Sequence, residues 1–172
     1  MSSDLAGLVE RAGATQDERE LAELRRVADE EVDFAVRNAD FRTRALAYRA
    51  LGLLDFRQKT ELLARGLEDE SPACRGAALI SLELLSRDHP REVNNVRPLL
   101  HNLANADENA TVRRLAVLCL KNGSASRDTL VLLDHIAEDG EEAELAAIAK
   151  RTVAALKKRA REAEARSSRK GR

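Results

Sequence analysis

Three residues with chemically useful side chains lie close together in the segment DESPACRGAALISL, residues 69–82: Asp69, Cys74 and Arg75. A thiol near a carboxylate and a guanidinium is a combination found in catalytic sites, because neighbouring charges set the pKa of a nucleophile. The segment DENATVRRLAVLCL, residues 107–120, repeats the Asp and the Arg at the same six-residue spacing but has Val112 in place of the cysteine. Since the spacing recurs without the thiol, it indicates a rule of construction and not a catalytic site.

The rest of the sequence contains no recognisable catalytic or metal-binding pattern. His89, His101 and His135 are followed by Pro, Asn and Ile, so no H-E-x-x-H metal motif is formed. His101 and His135 fall on the first helices of successive predicted hairpins and could be neighbours, but we interpret them as ordinary surface histidines. No G-x-S-x-G elbow and no Gly-rich phosphate loop occurs. We predict no catalytic residue, no metal site and no cofactor, and therefore a protein that is not an enzyme.

Composition favours an all-α fold. Of 172 residues, 29 are Ala and 26 are Leu, and only 2 % are aromatic. Ala and Leu are strong helix formers, whereas strands are enriched in β-branched and aromatic residues. Two cysteines, Cys74 and Cys119, are too few for a disulfide framework, so we expect free thiols and a cytoplasmic, reducing environment. We also expect no signal peptide and no membrane span, since no apolar run is long enough.

Helix start signals are frequent, and they predict short helices joined by polar turns. Thr15 and Glu18 have the spacing of a capping box, which predicts a helix that begins there and runs through about Ala28. Ser71 followed by Pro72 predicts an N-cap with proline at the first helical position. A string of short helices can be a bundle or a solenoid, and internal repetition decides between them.

The same residue pattern occurs a third time in NADFRTRALAYRAL, residues 38–51. In each copy a turn residue precedes an Arg by six positions, and an Ala, a small residue and a Leu follow the Arg by three, six and seven. Offsets of zero, three and seven lie on one face of a helix. An apolar helix precedes each copy, marked by Phe34 and Val36 in the first. We name the turn and Arg positions the Asp–Arg ladder: Asn38, Arg44, Asp69, Arg75, Asp107 and Arg113.

The unit of helix, Asp or Asn turn, and second helix resembles the HEAT-repeat family of armadillo-like α-solenoids over roughly residues 30–156. The resemblance implies a right-handed α-solenoid of about four HEAT-like helical hairpins, with a structural role for the ladder. We therefore expect Arg75→Ala to reduce stability more than binding. A fourth hairpin, about 126–156, departs from the signature because Leu145 stands six residues after Asp139. The predicted parts are residues 1–28 (N-terminal helices, capping or a degenerate first repeat), 29–156 (HEAT-like repeats) and 157–172 (a basic, partly disordered tail).

Charge is unevenly distributed although the whole chain has a net charge of -1. Residues 157–172 hold eight Lys or Arg and two Glu, a net charge of +6, which leaves -7 on residues 1–156. Basic side chains also occur on the predicted second helices, where a solenoid presents its concave surface. The exposed residues that we predict to bind a partner are Arg42, Arg49, Arg114 and Lys121.

These features predict a non-catalytic scaffold or adaptor that offers a concave helical surface to a protein partner, within a larger assembly. The alternative is a nucleic-acid-binding or ribosome-associated protein, which would use the concave-face arginines and residues 157–172 to neutralise phosphates. Aromatic side chains for stacking on single strands are scarce, which favours the protein partner. We predict neither a membrane partner nor a small-molecule substrate.

Overall fold

Ten α-helices and one short 3-10 helix account for most of the residues that the structure, a computed structural model, describes: 4–139 and 142–170, apart from the side chain of Lys170. No strand occurs in these ranges, so the predicted all-α class is confirmed. The helices are α1 (Leu5–Ala14), α2 (Glu18–Ala35), α3 (Phe41–Leu53), α4 (Thr60–Leu67), α5 (Pro72–Ser86), α6 (Pro90–Asn95), α7 (Arg97–Ala106), α8 (Ala110–Leu120), α9 (Arg127–Asp139) and α10 (Ala143–Lys170), with the 3-10 helix at Arg57–Lys59.

Short polar side chains begin several of these helices. The carboxylate of Asp40 accepts a hydrogen bond from the backbone N–H of Arg42 at the start of α3. The amide oxygen of Asn109 accepts from the backbone N–H groups of Thr111 and Val112 at the start of α8. Each bond satisfies an N–H group that has no partner inside the helix, which stabilises the helix end by roughly 1 kcal/mol.

The start predicted for α2 is wrong by two residues. The N-cap is Asp17, whose carboxylate accepts from the N–H groups of Arg19 and Glu20, and not Thr15. The Thr15 hydroxyl instead accepts from the N–H of Asp17 and holds the turn before the helix. The helix also continues to Ala35, beyond the predicted end near Ala28, because its buried face continues through Ala28, Val32 and Ala35. The division at residues 28 and 29 thus falls inside α2, although the assignment of repeats on either side remains a prediction.

The chain separates into two compact units, Met1–Arg87 and Asp88–Arg172. In the first unit α3 is the central element, in contact with α1, α2, α4 and α5. Its Ala47, Ala50 and Leu51 are completely buried, at the positions that the repeat assigns to the core. One apolar residue of the preceding helix differs from the expectation: Val36 is buried, but Phe34 is 75 % exposed.

Helices α3 and α5 approach each other closely where small residues meet. The hydroxyl of Ser81, a buried residue at the small position of its repeat, donates a hydrogen bond of 2.6 Å to the carbonyl oxygen of Tyr48. A Cβ atom at Gly52 would lie 2.6 Å from the Ser81 Cα, closer than real Cβ contacts allow. The α3–α5 contact therefore depends on a glycine in one helix and a serine in the other.

The second unit contains α6–α10, in which α7 packs on α8 and α10 packs on both α8 and α9. The core residues of α8 again follow the repeat, with Ala116, Cys119 and Leu120 buried. In α10 the same spacing is found at Ala149, Thr152 and Val153, all of which are buried. This places Ala146, and not Leu145, at the position of the ladder arginine, so the fourth hairpin has the packing pattern of the others without the Arg.

Helix α10 continues through Lys170, well beyond its last buried residue, Leu156. The sequence predicts a partly disordered tail over residues 157–172, but the part of it that the structure describes, 157–170, is helical, and residues 171–172 lie outside the described residues. Extension of an existing helix costs much less than starting a new one, and residues 157–166 contain Ala, Arg, Lys and Glu, which favour helix. No helix in the described ranges is both long enough and apolar enough to cross a membrane.

The glycine contact between α3 and α5 gives a direct test of this packing. Gly→Ala inside a helix normally stabilises a protein by roughly 0.5–1 kcal/mol. We expect Gly52→Ala instead to lower the free energy of unfolding by about 1–3 kcal/mol, since the new methyl group overlaps Ser81. Gly7→Ala in α1 is the matched control, because nothing lies within 4 Å of its added Cβ, and it should be neutral or stabilising. Urea unfolding of both variants measures the difference, and a stabilising Gly52→Ala would contradict the contact.

Candidate binding surfaces and the turns that position them

The three repeated turns share one hydrogen-bond pattern at their first residue. The side-chain oxygen of Asn38 accepts from the N–H of Asp40, that of Asp69 from the N–H of Ser71, and that of Asp107 from the N–H of Asn109. The three distances are 2.9, 2.9 and 2.8 Å. In each copy the accepting residue is two positions before the N-cap residue of the helix, and its bond orients that N-cap. Asp and Asn side chains make this bond more strongly than the hydroxyl of Ser or Thr, which explains the residue type at this position.

The ladder arginines tie the second helix back to the same turn. Arg44 donates from Nη1 to the carbonyl oxygens of Asn38 and Ala39, each at 3.0 Å. Arg75 donates from Nη1 to the carbonyl oxygens of Asp69 and Glu70, at 2.9 and 3.1 Å. Arg113 donates from Nη1 to the carbonyl oxygen of Asp107. The Arg is thus six residues after the turn residue because that spacing brings its guanidinium over the turn's own carbonyl groups.

The second half of the guanidinium can reach an acid of the following hairpin. Arg44 donates two parallel bonds to the carboxylate of Asp69, from Nε at 2.8 Å and from Nη2 at 2.9 Å. The side chains of Arg44 and Asp69 are 10 % and 7 % exposed, so this is a nearly buried ion pair. Arg113 makes the corresponding bond to Glu142, immediately before α10. Through these bonds the first and second hairpins, and the third and fourth, are joined at their turns.

The pKa values of the buried pair follow from this geometry. Burial raises the pKa of the Asp69 carboxyl, but the hydrogen bonds from Arg44 and from the Ser71 N–H more than offset that effect, so its pKa is below the ordinary value. The hydrogen bond to Asp69 raises the pKa of Arg44. Asp69 is therefore charged at neutral pH, and the pair functions as a structural link.

Cys74, the nucleophile candidate, is completely buried. Its Sγ donates to the carbonyl oxygen of Phe41 at 3.2 Å. Burial and the neighbouring charge of Asp69 raise the pKa of the thiol, whereas a reactive cysteine needs a lowered pKa and access to solvent. The proximity of Asp69, Cys74 and Arg75 in sequence thus produces a packed turn, as the repetition indicated.

Arg42 and Arg49, the first two predicted binding residues, are seven positions apart and share one side of α3. Arg42 is exposed, and its guanidinium carbon lies 5.3 Å from the centre of the Phe41 ring. Arg49 is half-buried, and its Nη1 is fully buried without any hydrogen-bond partner. Burial lowers the pKa of the Arg49 guanidinium, although an arginine remains protonated at any ordinary pH. This burial has no signal in the sequence.

Arg114 and Lys121, the other two predicted binding residues, are in the second unit and are also seven positions apart, at α8. Arg114 is paired with Glu144 of α10 and also donates to the Thr111 hydroxyl at 3.4 Å. Lys121 is exposed at the end of the helix. Arg114 is therefore already engaged within the protein, while Lys121 is open to solvent.

Two cations that the sequence did not single out have clear structural roles. Lys59, only 11 % exposed, forms ion pairs with Asp29 and Asp33 of α2 at 3.2 and 2.8 Å. Arg159 in α10 donates to the carbonyl oxygens of Lys121 and Gly123 at the end of α8. Neither role has a local signal, because each partner is more than 25 residues away in the chain.

The histidines have different surroundings. No group of three or more His, Cys, Asp or Glu side chains within residues 4–139 and 142–170 is arranged to hold a metal ion. The His101 Nε2 is 2.9 Å from the hydroxyl of Thr129, a buried residue of α9. His135 instead lines a cavity of about 380 Å³ beside Arg113 and Glu142.

Because Arg44 and Asp69 form a nearly buried ion pair, we expect Arg44→Ala to destabilise the protein strongly. The substitution leaves the Asp69 carboxylate buried without its partner, so we expect the free energy of unfolding to fall by about 3 kcal/mol. Arg42→Ala is the matched control on the same helix, because that side chain is exposed, and it should cost less than about 0.5 kcal/mol. Chemical unfolding monitored by circular dichroism measures both, and equal effects would contradict the structural role of the ladder.

The environment of His101 predicts a loss of stability at acid pH. Burial, and secondly the charge of Arg97, lower the pKa of His101 below its ordinary 6.5, whereas Asp128 has a smaller opposite effect. A depressed folded-state pKa means that the unfolded chain binds the proton more tightly, so this histidine's contribution is present above pH 6.5 and is lost as pH falls through the folded pKa. We expect His101→Gln to have a smaller drop in melting temperature between about pH 8 and about pH 5 than the wild type. Parallel pH profiles would contradict this.

No protein-family model matches the chain, and no curated protein matches it. The likeness to HEAT repeats therefore depends on the residues themselves: three turns with the same side-chain bond, three arginines over the carbonyls of their own turns, and small residues at equivalent buried positions. Membership of that family stays a prediction.

Proposed function

We propose that this protein is a non-catalytic scaffold that binds an acidic segment of a partner protein on its second helices, foremost on the side of α3 that has Arg42 and Arg49. In this proposal the hairpins form a right-handed α-solenoid of about four HEAT-like repeats. The recurring turn bonds support this proposal. A helix–turn–helix unit that occurs three times is typical of repeat proteins, which bind partners through the exposed residues of their repeats.

One observation carries the proposal: the buried Nη1 of Arg49 has no hydrogen-bond partner. Buried polar groups in folded proteins are almost always hydrogen-bonded, and an unpaired one costs about 1–3 kcal/mol. The Arg49 side chain is only half-buried, so its guanidinium can turn towards solvent, where a carboxylate of a partner would supply the missing acceptor. Two parallel bonds to one guanidinium are the strongest form of this contact. The unpaired nitrogen destabilises the free protein, and pairing it with the partner's carboxylate would add to the free energy of binding.

Arg42 extends the same surface towards the start of α3. Seven residues of helix span about 10 Å, so Arg42 and Arg49 can contact two acidic side chains of one segment. Arg42 already lies against the exposed ring of Phe41, which is 41 % exposed and adds an apolar contact beside the charge. An aromatic residue with arginines around it is typical of residues that dominate protein interfaces.

The exposed Lys121 and the pair of Arg114 with Glu144 would have lesser roles. Lys121 is exposed and can attract an acidic partner over a longer distance, but an exposed ion pair contributes little, about 0–1 kcal/mol. Arg114 must exchange Glu144 for the partner's carboxylate, which brings little net gain. Arg49 is therefore the residue of the four whose removal should reduce binding most.

The substitution Arg49→Leu tests the proposal with two readouts that should move in opposite directions. It removes an unpaired buried polar group, so the free energy of unfolding should stay equal or rise. Partner binding should fall by at least about tenfold, since the charged acceptor loses its donor. The measurement is quantitative affinity purification from nuclease-treated cell extract, alongside urea unfolding of the purified variant.

Arg37→Leu is the matched control, because Arg37 is an exposed arginine of the same unit, between α2 and α3. It should retain the proteins that the wild type retains. If Arg49→Leu also retains all of them, the acidic-segment proposal is wrong. If Arg49→Leu unfolds the protein, the guanidinium has a structural role and the proposal is equally wrong.

A second candidate function, binding of nucleic acid or ribosome, is favoured by the exposed cations of α10. Beyond Leu156 the helix has Lys158, Arg161 and Arg169 on its surface, all exposed. Lysines and arginines along a helix can neutralise phosphates, and the affinity then falls steeply with salt. Glu162 and Glu164 lie in the same stretch and weaken the field.

The two functions are separated by a triple variant, Lys158→Gln, Arg161→Gln and Arg169→Gln. Arg159 is left in place because it bonds to the carbonyl groups of Lys121 and Gly123. Binding of a labelled RNA or DNA duplex should disappear in the triple variant if nucleic acid is the ligand. Protein retention that survives the triple variant and nuclease treatment, but not Arg49→Leu, supports the scaffold.

A further inference from the structure

We infer that this protein self-associates, with the exposed face of α2 in one copy seated in the apolar groove beside α10 of a second copy. The inference is independent of the proposed partner site on α3. Both surfaces have features that neither the Asp–Arg ladder nor the Arg42–Arg49 surface explains. They are also complementary in charge and in the spacing of their apolar residues.

The face of α2 that is open to solvent contains large apolar side chains. Phe34 is 75 % exposed and Val27 is 39 % exposed, seven positions earlier on the same side of the helix. Glu30 is exposed between them, and Glu23 continues the row one turn before Val27. Most of the surface of Phe34 is in water, although burial of an aromatic side chain is strongly favourable. We name Glu23, Val27, Glu30 and Phe34 the α2 strip.

The groove lies in the second unit, between the extended part of α10, the start of α6 and the loop that follows α8. It has a volume of about 520 Å³, large enough to take apolar side chains from another chain. On α10 it is floored by Leu156, Ala160 and Ala163, which follow one another on one face of the helix. The small side chains of these alanines leave space that no described residue of this unit fills. The α10 groove also includes Pro90, Gly123 and Ala125 opposite, with Arg159, Glu162 and Arg166 at its polar edge.

The charges of the two surfaces are opposite. Helix α2 contains seven Asp or Glu and three Arg, a net charge of -4, whereas residues 157–172 have a net charge of +6. Glu30 on the α2 strip and Arg166 at the groove have no ion-pair partner among the described side chains. Arg159 bonds only to backbone carbonyl groups, so its positive charge is not neutralised by a carboxylate either. Glu162 is the one acidic residue that lines the groove, and it only partly offsets the positive charge of Arg159 and Arg166.

The spacing of the two patterns matches. Val27 and Phe34 are seven residues apart on α2, and Leu156 and Ala163 are seven residues apart on α10, which is about 10 Å in each helix. Arg159 and Arg166 have the same separation. Helices that pair lengthwise use this seven-residue repeat, with apolar residues at the centre and charged residues of opposite sign beside them. Phe34 would then lie over Ala160 or Ala163, where the small side chains leave room.

A second copy of this chain is the occupant that these observations favour. An acidic helix with an exposed Phe fits the groove, and every copy of the protein presents such a helix. A contact between two different surfaces leaves a second strip and a second groove in each pair, so association either closes as a reciprocal dimer or continues to longer assemblies. Salt should weaken it because the charges are exposed.

The test is light scattering on size-exclusion chromatography with the full chain, over a hundredfold range of protein concentration. We expect the average mass to rise with concentration above that of a 19.0 kDa monomer. Phe34→Ala should raise the dissociation constant about tenfold or more, as is common for a central aromatic residue. Its circular dichroism and melting temperature should not change, since Phe34 is exposed. Val131→Ala, at a 61 % exposed position of α9, is the matched control and should associate as the wild type does.

Charge reversal identifies the two surfaces as each other's partners. Glu30→Arg and Arg166→Glu should each weaken association, whereas an equimolar mixture of the two variants should recover it, because the reversed charges then face each other. A mass of one monomer at every concentration would overturn the inference. So would association that Phe34→Ala leaves intact, or a mixture no stronger than the separate variants.

Discussion

The arginine that lies over its own turn is the interaction on which the rest of this structure depends. The guanidinium has donors on two sides, so one half can bond to turn carbonyls while the other reaches a carboxylate of the next hairpin, as Arg44 does with Asp69. The turn side chains that orient the N-caps complete the arrangement. A single residue thus sets the direction of a helix relative to its turn and joins it to a neighbouring turn. Buried packing then follows, because the Ala, small and Leu positions after the Arg face the core.

Much of this arrangement could be predicted from the sequence, since the same spacing of residues occurs three times. Turn residue, ladder Arg and buried positions have fixed spacings, and the burial of Ala47, Ala78 and Ala116 agrees with them. Local signals were less reliable where two capping residues compete. Thr15 has the capping-box spacing, but Asp17 is the stronger N-cap because its charge interacts favourably with the start of the helix. The residue type of Phe34 predicts a buried position, yet the buried face of α2 passes through Ala28, Val32 and Ala35.

The candidate sites depend on facts that sequence patterns do not contain. Arg42 and Arg49 look alike in sequence, but only Arg49 has a buried nitrogen without an acceptor, and this depends on how neighbouring helices surround α3. Arg114 also looks like a free cation, until the position of α10 brings Glu144 to it. The tail looks uniformly basic, yet Arg159 differs from its neighbours because its bonds to the end of α8 anchor the helix. Burial and long-range partners therefore divide a set of similar cations into structural, engaged and available ones.

A double-mutant cycle between Arg44 and Asp69 tests the central claim most directly, because it isolates the bond between the two hairpins of the first unit. The cycle compares the free energies of unfolding of the wild type, Arg44→Ala, Asp69→Ala and the double variant. The account predicts that the double variant is much less destabilised than the sum of the single ones, with a coupling of about 2 kcal/mol or more. Additive effects, with a coupling near zero, would show that the turns are held by packing alone and would contradict it.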